Sequence, residues 1–65
     1  MIKKHGKYLE CSECDKIINI DNCNYFYRIA DDIMFFYNND YKAVWHFQVE
    51  NACDNTYKQL LKLLD

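Results

Sequence analysis

The side chains of this chain with the chemistry to hold a metal ion or exchange electrons are four cysteines and two histidines among 65 residues. Cys11 and Cys14 stand together in the stretch YLECSECDK, residues 8–16. A C-x2-C spacing lets one tight turn aim two sulfurs at one ion, and structural zinc takes four ligands in a tetrahedron, three cysteines and a histidine being a common set. Cys53 opens an amphipathic segment that reads as a helix, where free N–H groups of the first turn stabilise the thiolate that binds metal. His46, close to the end of a strand-like segment, is the expected fourth donor, with Cys23 as its substitute in an all-cysteine set. The competing readings of Cys11 and Cys14 are free thiols and a redox pair. A thioredoxin-like pair sits at the start of a helix, whereas Ile17-Ile18-Asn19-Ile20 follows here and reads as β. His5 is a weaker donor, because its basic, glycine-containing surroundings read as a mobile terminus.

A single domain, 1–65, must carry this site. A chain of this length buries only about 60% of its unfolded surface, so a metal staple is expected beforehand. Residues 1–7 lack the apolar run of a signal peptide, and no stretch approaches a membrane span. The expected location is cytoplasmic, where thiols stay reduced and cysteines point to metal or catalysis. The formal charge is −2, with no basic run. That argues against phosphate-driven nucleic-acid binding. Residues 17–41 are the acidic part, with Arg28 set against Asp21, Asp31, Asp32 and Asp40. High aromatic content, no proline and one glycine exclude disorder as the default state.

The elements that position these residues follow from period. Residues 16–20 are short and β-branched and precede the turn-prone Asp21-Asn22-Cys23-Asn24. Residues 25–29 and 33–37 read as a hairpin around Ala30-Asp31-Asp32. Alternation puts Tyr25, Tyr27 and Ile29 on one face, with Phe26 and Arg28 on the other. Asn38-Asn39-Asp40 supplies the next turn, before a strand over 41–47. Cys53, Tyr57, Leu60, Leu61 and Leu64 then fall on one face of a C-terminal helix, with Asn51 as its N-cap. The expected fold is α+β: an N-terminal zinc knuckle, a three- to four-stranded antiparallel β-meander and a C-terminal α-helix.

CSECDK resembles the knuckle of treble-clef zinc fingers, with Asp15 in the place of the usual glycine, and VWHFQVENACDNTYKQLL resembles their strand-to-helix closure. Asp15 suits the left-handed backbone needed there. The resemblance implies Zn²⁺ on Cys11, Cys14, His46 and Cys53. Small zinc proteins of bacteriophages infecting AT-rich bacteria are similar in length and order, which would place the chain in a host cytoplasm. Treble clefs serve many tasks, so function must come from the surface. With no nucleophile elbow, phosphate loop or acid–base pair, an enzyme is not expected. Tyr25, Tyr27, Phe36 and Trp45 are the expected partner-binding residues on an aromatic sheet face. The expected function is a non-enzymatic, zinc-stabilised protein-binding module of the phage inhibitor or adaptor kind. The alternatives are a zinc-containing nucleic-acid-binding protein using Lys3, Lys4, Lys7 and the aromatic face, and a metal-free structural dimer, a homodimer being the expected form.

Overall fold

The structure, a computed structural model, describes residues 1–64. Its strands are β1 (Ile2–His5), β2 (Tyr8–Cys11), β3 (Lys16–Asn19), β4 (Cys23–Ile29), β5 (Asp32–Tyr37) and β6 (Lys42–His46), followed by the helix α1 (Glu50–Leu63). The class is α+β as expected, but the expected single meander is two antiparallel meanders, β1-β2-β3 and β4-β5-β6. The first contains a hairpin, β1–β2, in a segment that reads as mobile from sequence. Gly6 makes it possible, since the tight turn between His5 and Tyr8 takes φ +61°.

Turn chemistry sets the remaining hairpins. Asp15 at φ 54° closes β2 onto β3, and Asp40 at φ 63° closes β5 onto β6. Both are aspartates where a left-handed residue was expected. Ala30, at φ 51°, makes the β4–β5 turn without that dispensation.

The two sheets and the helix enclose one core. Ile2, Leu9, Cys11 and Ile18 enter from the first sheet, Ile33, Phe35 and Trp45 from the second, and Cys53 and Leu60 from α1. Phe35 meets Trp45 edge-on, ring centroids 4.8 Å apart. The helix buries Cys53, Thr56 and Leu60, leaving Leu61 and Leu64 exposed, so its inward stripe is rotated from the expected one. Its N-cap position is Val49 rather than Asn51, with no side-chain cap. No described helix is long and apolar enough to cross a membrane.

The sheets are fastened by side chains gripping sheet edges. Gln59 on α1 accepts from the Ile2 N–H (3.1 Å) and donates to the Ile2 C=O (3.2 Å), as a neighbouring strand would. Lys16 Nζ donates to the Val44 C=O of β6 at 3.1 Å. Arg28, on the inner parity of β4, donates to Asp54 of α1 at 2.8 Å, and Lys58 pairs with the other oxygen of that carboxylate.

Candidate functional site

The cysteines fall into separate environments. Cys11 ends β2 fully buried, and Cys14 sits in the following turn, its sulfur 3.2 Å from that of Cys11. The Cys14 thiol donates to the His46 backbone C=O at 3.4 Å. It is therefore the main chain of His46 that meets the pair. The imidazole points to the outer face, where Nδ1 lies 2.5 Å from Asp32 Oδ1, its cross-strand neighbour. Cys53 is buried against the Arg28 side. Cys23, at the start of β4, donates to the Tyr25 C=O at 3.3 Å.

Among the described residues, no group of three or more His, Cys, Asp and Glu side chains is placed to hold a metal. The expected set of Cys11, Cys14, His46 and Cys53 is not gathered, and Cys23 does not complete it. Of the expected set only the Cys11 and Cys14 sulfurs are together, with Glu13 Oε1 3.8 Å from Cys11 and the His46 backbone C=O 3.4 Å from Cys14. Burial, and then the adjacent Cys11, push the Cys14 thiol well above its ordinary range. Burial also raises Cys53, against the opposing pull of Arg28. At the helix start the Cys53 N–H is bonded to the Val49 C=O at 3.3 Å.

The second candidate site is the face of the β4–β6 sheet turned away from the core. Register places Tyr25 beside Phe36 and Phe36 beside Lys42, then Tyr27 beside Met34 and Met34 beside Val44. Ile29, Asp32 and His46 complete this grid. Phe36 is its centre: its ring stacks on Tyr25 at 4.8 Å and 13°, and on Tyr27 at 5.4 Å and 6°. Tyr25 and Ile29 are 54% and 50% exposed, and Tyr27 is 37%. The first sheet and α1 pack on the opposite face, so the described residues leave these rings uncovered.

Of the expected partner-binding residues, Tyr25, Tyr27 and Phe36 share this face. Trp45 does not: it pairs with Ile33 on the inner parity and is 0% exposed. Its Nε1–H is buried without a hydrogen-bond partner among the described residues. Lys42 and His46, polar and alternating with Trp45, carried the signal for that orientation. Met34 and Val44 were missed because their place on the grid depends on pairing register. The chain was compared with protein-family models, with curated proteins and with solved structures, and none of these comparisons found a match.

Proposed function

We propose that this chain is a non-enzymatic protein-binding module that presents the outer face of the β4–β6 sheet to its partner. The observation that carries this reading is the stacked, uncovered trio Tyr25, Phe36 and Tyr27 on a face that contributes nothing to the core. Aromatic side chains supply large contact area at low entropic cost and dominate interface energetics. Here stacking holds the rings in place before any partner arrives. The flanking Met34 and Val44 make the centre apolar, while Lys42, Asp32 and His46 supply a polar rim. A small preformed face of this kind suits an inhibitor or adaptor of a larger protein, and the formal charge of −2 favours a partner with a basic rim. This reading rests on the sheet face and does not depend on the zinc expected at Cys11, Cys14, His46 and Cys53.

Capture of partners from source cells with the wild-type chain and with Phe36→Lys tests it. A partner held by the wild type and lost with Phe36→Lys, while the variant keeps its fold by circular dichroism, is the expected result. The same captured set with both chains would overturn the proposal. A second reading rests on Lys42 lying beside the near-parallel rings: bases of a single-stranded nucleic acid could stack there. Such binding would weaken steeply with rising salt. No binding at low salt would remove it.

A further inference from the structure

Each three-stranded sheet has two edges, and the side-chain contacts treat them differently. The β1 edge is capped at Ile2, where Gln59 takes both main-chain groups, and Lys3 and Lys4 make the rest a charged edge. The β6 edge is taken up in part. The bonds Tyr37 N to Tyr41 O and Phe47 N to Asp31 O, both 3.0 Å, fix which β6 residues bond to β5, and Val44 and His46 face outward. Lys16 and Cys14 take their carbonyls. The β3 edge is four residues long and carries Lys16, a short charged edge of the self-blunting kind.

The β4 edge has no such guard. By the same alternation, Asp32, Met34 and Phe36 of β5 bond to Ile29, Tyr27 and Tyr25, so the N–H and C=O of Phe26 and Arg28 point away from the sheet. No protein group among the described residues takes them up. β4 is also the longest strand, at seven residues, with no proline or lysine. Its single charge, Arg28, is turned inward and paired with Asp54. An unpaired, apolar, aromatic edge is a template for another strand.

We propose that this edge pairs with β4 of a second copy of the chain, antiparallel about a two-fold axis through Tyr27. The choice of a second copy rests on self-complementarity. In this register Phe26 exchanges main-chain bonds with Arg28 of the second copy, and Arg28 with Phe26 of the second copy. Every outward main-chain group of that stretch is then satisfied. Tyr27 faces Tyr27 of the second copy on the outer face, while each Tyr25 meets an Ile29, both large exposed residues. No like charges are set opposite one another, because each Arg28 lies across from a phenylalanine. The result is a continuous sheet with an unbroken aromatic face. Phe36 lies one strand in from the seam, whereas Tyr25 and Tyr27 belong both to the seam and to the stacked face, so pairing extends that face from one copy into the next.

A seam confined to one strand edge is a small interface, so association belongs in the micromolar to millimolar range. Sedimentation over that range reads the mass, against 7.9 kDa for one chain. Tyr27→Lys sets two ammonium groups against each other at the axis and is expected to weaken association by about tenfold or more. Amide exchange gives a second reading on the wild type: the Phe26 and Arg28 N–H groups become protected as concentration rises. A dimer with those amides protected, weakened by Tyr27→Lys, supports the proposal. A monomer throughout, a dimer whose Phe26 and Arg28 amides stay unprotected, or a dimer untouched by a folded Tyr27→Lys overturns it. Should Tyr27→Lys unfold, the wild-type mass and exchange decide.

Discussion

Replacing Gln59 with leucine isolates the contact that closes the β1 edge. Leucine and glutamine have similar helix propensity, so α1 itself is little perturbed. The substitution removes both hydrogen bonds to Ile2, at 3.1 and 3.2 Å, and leaves a part-buried N–H and C=O without their partner. At about 0.5–1.5 kcal/mol for each bond, the expected loss is about 2 kcal/mol. For a domain of this size that lowers Tm by about 8–16 °C. Urea titration with an unchanged m-value gives the free energy, and amide exchange gives its location: Ile2 should lose protection first. A Gln59→Leu chain within about 0.5 kcal/mol of wild type, with Ile2 still protected, would refute the account of how the first sheet is held to the helix.

Three further outcomes follow from the same contacts. Ala30→Gly relieves a non-glycine residue at φ 51°; the left-handed penalty of about 1–2 kcal/mol exceeds glycine's entropic cost, so a gain of about 0.5–1 kcal/mol is expected in a urea melt. Lys58 and Arg28 hold the Asp54 carboxyl below its ordinary value of 3.8, so the pair stabilises the fold above that pH and loses its effect as pH falls through the depressed value. Asp54→Asn should flatten that acid limb in thermal melts from pH 6 to pH 2, and an unchanged limb would show that the pair contributes nothing. Burial of Cys11 and Cys53, and the raised Cys14 and Cys23 thiols, predict alkylation at pH 7 far slower than for a free cysteine, with Tm unmoved by a chelator. Bound zinc whose removal unfolds the chain would contradict the reading of the thiols.

The parts of this fold that sequence reveals are those fixed locally. Alternation along residues 25–29 sorted Tyr25, Tyr27 and Ile29 from Phe26 and Arg28, and the structure keeps that division. Asp15 and Asp40 mark turns because a short polar side chain tolerates positive φ. The hidden parts depend on tertiary partners. Ile2–His5 carries one apolar residue and gains strand geometry from β2 and Gln59. The helix stripe turns toward Thr56 because Arg28 and the first sheet decide which side is inward. The cysteines show the limit most sharply. Spacing brought Cys11 and Cys14 together, but whether Cys53 and His46 join them depends on how the two sheets meet, and Asp32 holds the imidazole on the far face.

The face centred on Phe36, proposed as the surface through which the chain acts, is open to a direct contact measurement. The direct measurement places a photo-crosslinking phenylalanine analogue at Phe36, and separately at Ile17 on the outer parity of the first sheet, and irradiates source cells expressing each chain. A discrete heterologous protein adduct at Phe36, absent at Ile17, is expected. No adduct at Phe36, or the same adduct from both positions, would contradict that proposal.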